Sequence, residues 1–301
     1  MQTRLLAPSV IRMSKTTTPQ HGPPAAPLPQ QRAVAQGPRV LKEVRKHRSF
    51  ASLRAIVALV LREMQTSKGR ASGGYFWAIA EPAGGIILLT LIFSVTFNQP
   101  PIGTSFAMFY ATGMVPFLGY LDMSGKVASS VRYSTALLSY PAVTFMDALL
   151  ARIIFNAITQ IMVATVIFTS IYLMNETRTD PQVDQIAIAL AMMVLVASAV
   201  GVMNCFLFEA VTWWQPLWGI LMKPFFLLSC IFFMFDDVPP PYQDWLWWNP
   251  LIHVIGQMRR AFFPQYIGDY VSYVYIFGMG LGVFALGLAL LVRYHRDLQN
   301  S

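Results

Sequence analysis

The chain has 301 residues, 55% of them hydrophobic and only 12% charged, with a formal net charge of +8. That balance, together with a mean hydropathy of +0.50, excludes a soluble globular domain and marks a polytopic membrane protein. Nor does the excess charge indicate nucleic-acid binding: 13 of the 22 Lys and Arg residues precede residue 71, where basicity orients membrane segments and attracts anionic lipid. The two cysteines, Cys205 and Cys230, lie in apolar runs and outline neither a disulfide framework nor a metal site.

Residues 1–48 hold Pro19, Pro23, Pro24, Pro27, Pro29 and Pro38 among scattered polar and basic residues, a composition that cannot bury a core. A flexible cytoplasmic tail is expected. Its opening, MQTRLLAPSVIRMSK, lacks the continuous apolar core of a secretory signal.

Over residues 49–70, Phe50, Leu53, Val57, Val60 and Met64 recur at steps of three and four. The spacing predicts a helix with those residues on one face and Arg54, Arg62, Gln65 and Thr66 largely on the other. The run is too short for the roughly 20 residues a crossing needs, so it is expected to lie in the membrane surface. Lys68 and Arg70 follow beside Gly69, Gly73 and Gly74. Then come Tyr75, Phe76 and Trp77, rings that suit the headgroup boundary, and the pair Glu81-Pro82.

Six spans are expected, near 76–97, 106–121, 153–175, 185–208, 216–235 and 270–292. Pro100-Pro101 separates the first two. Between the second and third, the chain turns polar, with Lys126, Arg132 and a run of hydroxyls. Glu176, Asp180 and Asp184, with Arg178, separate the third and fourth, and Lys223-Pro224 interrupts the fifth. The sixth contains Gly278 and Gly282, four apart, a spacing that suits close helix packing.

With the basic N-terminus inside, six spans place Lys126 and Arg132 inside, the acidic loop outside, and Arg293 and Arg296 inside, as the positive-inside rule requires. Between spans five and six, Pro239, Pro240 and Pro241 forbid a continuing helix. Trp245, Trp247 and Trp248 suit an interface, and 251–263 reads as a helix ended by Pro264 that dips into the outer leaflet or lies on it. His253 within it is a lone histidine and gives no metal site.

Three segments carry a resemblance: REMQTSKGRASGGYFWAIAEP at 62–82, SYPAVTFMDALLAR at 139–152 and WNPLIHVIGQMRRAFFP at 248–264. In this order and with six spans, they resemble the permease subunits of ABC-2 type exporters, closest to the KpsM-type capsular polysaccharide exporters of Gram-negative bacteria. The similarity covers roughly 49–296.

The resemblance implies an all-α integral membrane fold with six transmembrane helices. An N-terminal amphipathic interface helix precedes them at 49–70, a domain of the ABC-2 type fills 71–296, and a re-entrant or periplasmic helical segment sits between spans five and six. It implies a non-enzymatic permease working as a homodimer in the bacterial inner membrane, both termini cytoplasmic. Each subunit would sit on a separate nucleotide-binding ATPase, with a periplasmic co-polymerase and an outer-membrane export protein beyond. No GxxxxGK[ST] phosphate loop occurs, so no cofactor is expected in this chain, and ATP and Mg would be bound by the partner subunit. The implied substrate is lipid-linked polysaccharide.

The family's coupling helix corresponds to residues 123–140, where Lys126, Ser129, Arg132 and Tyr133 are the expected ATPase contacts. A plain solvated loop is the alternative for any one of them. For a bulky, hydroxyl-rich chain, Tyr110, Tyr120, Trp213, Trp214 and Trp218 are pathway candidates, with Trp245, Trp247 and Trp248 at the outer exit; packing or interfacial aromatics are the competing reading. Arg259 and Arg260 either hold a lipid phosphate or pair with Asp236, Asp237 or Asp269. Arg62, Lys68 and Arg70 either guide an anionic headgroup inward or anchor the chain. Glu81, whose charge costs about 3 kcal/mol at membrane depth unless paired or wet, either lines the entry cavity or closes a salt bridge to Arg70 or a neighbouring loop.

Other classes fit less well. An ion-coupled secondary transporter calls for several ionisable groups deep in its spans, and only Glu81 and Lys223 qualify. A membrane-bound acyl- or glycosyltransferase needs an acidic or histidine cluster that is not present. O-antigen and teichoic-acid permeases share the topology and are the nearest rivals.

Overall fold

The computed structural model describes residues 51–69, 74–130, 132, 144–174 and 179–298, with backbone alone at 51, 66–69, 74, 75 and 295–298. The tail at 1–48, Arg70, Tyr133, Glu176 and Arg178 lie outside the described residues, as does the side chain of Lys68.

Among the described residues there is no strand. The helices are α1 (Ala51–Gly69), α2 (Gly74–Thr96), α3 (Phe106–Ala128), α4 (Phe145–Met174), α5 (Val183–Ala210), α6 (Trp214–Leu228), α7 (Tyr242–Trp247), α8 (Pro250–Phe262) and α9 (Tyr273–Leu298), with a 3₁₀ turn at Phe235–Asp237. Local chemistry sets their ends. Ser105 caps α3 by accepting from the Met108 N–H. Asn249 caps α8, accepting from the Leu251 N–H, and Pro250 takes the first helical position. Phe263 is extended ahead of Pro264, as the residue before a proline prefers, and this ends α8 where the sequence places its stop.

Among the described residues, four helices are long and apolar enough to cross a bilayer: Phe76–Thr96, Phe145–Met174, Val183–Ala210 and Tyr273–Tyr294. They coincide with the expected first, third, fourth and sixth spans. The second is a continuous 23-residue helix, α3, but it runs past residue 121 to carry Asp122 and Lys126 in its last turns. The fifth departs from expectation more strongly. The helix α6 has only 15 residues, about 22 Å at 1.5 Å per residue against roughly 30 Å of hydrocarbon. It stops at Leu228, where Cys230 takes a positive φ of 58°.

Helix α5 is the axis of the bundle, packed along α9, α3 and α8; α4 packs on α1 and α3, and α2 on α3. The α5–α9 crossing is close because of glycine, though not the expected pair. A side chain at Gly287 would meet the Met203 main-chain nitrogen at 2.9 Å, and one at Gly280 would meet Leu195 at 2.8 Å. Gly278 and Gly282 have nothing within 4 Å and lie off the contact. The expected face of α1 also needs adjustment: Leu53, Val57, Leu61 and Met64 are exposed. Ile56, Leu59 and Val60 are half-buried on the helix that packs against α4. An exposed apolar stripe on a helix with Arg54 and Arg62 beside it suits a membrane surface. Finally, α8 does not lie on the outside of the bundle: every residue from Leu251 to Arg259 is buried.

Candidate functional site

Three places gather the polar chemistry of the bundle. The first is the break after α6. A helix that stops inside a membrane bundle leaves carbonyl groups that water cannot reach, and each must find a donor within the protein. Arg259, fully buried on α8, supplies them: its Nη2 donates to the carbonyls of Cys230 at 2.7 Å and Ile231 at 3.1 Å, and its Nη1 to that of Phe233 at 3.0 Å. Its guanidinium also lies 4.5 Å from the centroid of the Phe109 ring on α3. Asn249 adds a donor to the Leu228 carbonyl at 3.2 Å. The sequence offered Arg259 a phosphate or a carboxylate; the structure gives it main-chain carbonyls instead. Arg260, next along, is half-buried, and its Nη1 reaches the Tyr273 hydroxyl at 3.5 Å.

Around the break, the aromatics divide. Trp247 packs against His253 and Tyr275 and donates to the Tyr270 carbonyl at 3.1 Å, whereas Trp245 and Trp248 are 81% and 67% exposed. The His253 ring is fully buried between two main-chain groups: its Nδ1 accepts from the Ser272 N–H, and its Nε2 lies 2.8 Å from the Trp247 carbonyl. That pairing needs the neutral ring with its proton on Nε2, and burial correspondingly pushes the His253 pKa below its usual range. Gln257, also fully buried, joins α8 to α5 through Gln185 at 2.7 Å and to α9 through the Tyr273 hydroxyl at 2.8 Å.

The second place is a cavity of about 160 Å³ between α2, α3 and α4, lined by Glu81, Pro82, Val115, Asp122 and Gln160 among others. Glu81 therefore faces a cavity, and its other expected partner, Arg70, is outside the described residues. Asp122 accepts from the Gln160 amide at 2.6 Å and from the Lys126 ammonium at 2.8 Å, so Lys126 points back along its own helix. Asp122 and Gln160 went unnoticed in sequence; the cue is a carboxylate four residues ahead of a lysine near a helix end.

The third place is the end of the bundle where α3 stops and α5 turns into α6. The Ser129 hydroxyl donates back to the Gly125 and Lys126 carbonyls and serves the C-terminus of α3. Arg132 reaches across to α5 and α6: its Nε donates to Glu209 at 2.9 Å and its Nη1 to Gln215 at 3.1 Å. Trp214 donates from its indole to Asn204 at 3.0 Å and lies 6.0 Å from the Trp218 ring, while Trp213 is exposed. Tyr110 and Tyr120 lie elsewhere: both are buried on α3, and Tyr110 stands among Phe93, Phe106 and Phe109, so neither has an open face for a sugar. Arg62 is exposed on α1.

No group of three or more His, Cys, Asp or Glu side chains that could hold a metal occurs among the described residues.

Comparison with known proteins supplies the frame for these places. The chain is 28% identical over 235 residues to the polysialic acid transport protein KpsM of Escherichia coli, covering 78% of this chain and 91% of that one. It is 23% identical over 247 residues to the capsule polysaccharide export inner-membrane protein BexB of Haemophilus influenzae, covering 82% and 93%. It is also 23% identical over 266 residues to CtrC of Neisseria meningitidis, a capsule polysaccharide export inner-membrane protein, covering 86% and 99%. The family model of the ABC-2 type transporter matches residues 54–263, a stretch that holds the second and third places and Arg259 of the first, and the chain belongs to that family.

Proposed function

We propose that this chain is the permease subunit of an ABC-2 exporter that moves a lipid-linked capsular polysaccharide across the bacterial inner membrane, driven by ATP hydrolysed in a separate nucleotide-binding subunit. The observation that supports it most directly is the reach of the similarity: proteins named for polysialic acid transport and capsule export match over 91% to 99% of their own lengths.

In this reading, α2, α3, α4, α5, α6 and α9 make six crossings, with the segment after α6 completing the fifth, and both termini are cytoplasmic. The cavity at Glu81, Asp122 and Gln160 then lies toward the cytoplasm, offering carboxylate and amide groups to sugar hydroxyls. Arg62 on α1 meets the anionic linker there, alongside Lys68 and Arg70. Trp245 and Trp248 offer stacking faces on the periplasmic side. Arg260, unlike Arg259, retains donors for a phosphate. Two copies of the chain sit on two ATPase subunits through the loop between α3 and α4, and a periplasmic co-polymerase and an outer-membrane export protein receive the polymer.

Replacing residues 133–140 by a glycine–serine linker tests the division of labour. The variant is expected to insert and assemble yet lose its stimulation of the ATPase subunit. Unchanged stimulation contradicts the seat assigned to this loop.

A further inference from the structure

Arg132 belongs to the stretch between α3 and α4 that the proposed function places against the ATPase, yet its guanidinium is engaged by side chains of α5 and α6. It bridges Glu209, the penultimate residue of α5, and Gln215, the second residue of α6, partners 77 and 83 positions away in the chain. A planar fork with donors in fixed directions can hold two acceptors on two helices at once, which a lysine ammonium cannot do with the same definition.

The partner on α5 is itself informative. A carboxylate in the last turn of a helix faces the negative end of the macrodipole and is placed at a cost, so it needs a cation from outside the helix. Arg132 is that cation. The corner it grips is stiff: Val211 caps α5 by donating to the Leu207 carbonyl, Trp214 donates to the Val211 carbonyl at 3.0 Å, and the Trp214 indole is tied to Asn204. Only residues 211–213 separate α5 from α6. A displacement of Arg132 therefore bears on the start of α6 and the end of α5 together. From there, α5 leads through its packing to α9, α3 and α8, and α6 leads to the break that Arg259 holds from α8. The bridge itself is weakly stabilising, because the Arg132 side chain is 55% exposed and water competes for it. Its value lies in position rather than stability.

We infer that Arg132 is a positioning residue, a strut that carries the movement of the α3–α4 loop into the corner between α5 and α6, rather than a contact surface for the ATPase. This deepens the exporter reading and rests on it.

Two measurements test it. In the first, Arg132→Gln, Glu209→Gln and the exchange Arg132→Glu with Glu209→Arg are reconstituted with the ATPase subunit, and polysaccharide moved per ATP hydrolysed is recorded. The single variants are expected to bind the ATPase subunit and retain its stimulation, while transport per ATP falls about fivefold or more; the exchange restores a large part of it. Retained transport per ATP in Arg132→Gln overturns the inference, and so does loss of ATPase binding, which would make Arg132 a direct contact. The second measurement needs no ATPase: hydrogen exchange on the permease alone. Arg132→Gln is expected to speed exchange at 205–217 and leave α9 unchanged. Unaltered exchange at the corner overturns the strut even if the exporter reading stands, whereas a wild-type complex that moves no polymer sinks the exporter reading and leaves the exchange result to decide the strut.

Discussion

Arg259 shows what a sequence pattern hides at the level of a single residue. A cation near a membrane boundary, with Asp236, Asp237 and Asp269 elsewhere in the same stretch, invites a carboxylate or a phosphate partner, because those are the anions a sequence displays. Its actual partners are carbonyls that exist only because α6 stops at Leu228 and Cys230 turns to a positive φ, neither of which has a sequence mark comparable to a proline. Buried groups left without partners are costly, so Arg259→Met, which keeps much of the bulk but none of the donors, is expected to destabilise the protein by about 3 kcal/mol or more. Arg259→Lys is expected to rescue little of that loss, since one ammonium cannot reach carbonyls on both sides of the guanidinium. Thermal unfolding in detergent measures both, and a lysine variant as stable as the parent contradicts this assignment. Glu81 lines a cavity in the structure, where a charged residue inside an apolar run has water within reach.

At the level of elements, hydropathy and helix punctuation carried far. Length and apolarity located four of the described helices that are long and apolar enough to cross a bilayer, and Pro264 marked the end of α8 to within a residue. Facing was harder to see. The periodicity of α1 marked an apolar stripe, but Leu61 belongs to the exposed face and Val60 leans toward the packed one, since a helix that packs on α4 and also exposes apolar residues has two apolar sides. The glycines of α9 make the same point. Spacing singled out Gly278 and Gly282, whereas close approach to α5 falls at Gly280, against the Leu195 side chain, and at Gly287, where the backbone of Met203 leaves no room. Gly287→Val is therefore expected to cost about 1 to 3 kcal/mol through overpacking, and Gly278→Val to leave the stability of the monomer nearly unchanged. A melting curve in which the two variants fall together, or in reverse order, contradicts the crossing described here.

For the molecule as a whole, composition settled the class and the three matched segments led to the family, because a membrane protein must declare its apolar spans in sequence. What composition leaves open is how the polar groups are distributed among them. The interior is tied at both ends of α5, by Gln185 and Gln257 at one and by Glu209 and Arg132 at the other. In the proposed exporter, a central helix tied at its two ends gives movement received at one end a route to the other. The most direct test of that division is transport itself: lipid-linked polysaccharide, the purified permease and its ATPase subunit in proteoliposomes, with ATP supplied on the side of the ATPase. The expected result is polymer transfer that requires ATP and both subunits and ignores a proton gradient; transfer driven by a proton gradient without the ATPase, or a complex that hydrolyses ATP and moves no polymer, would contradict it.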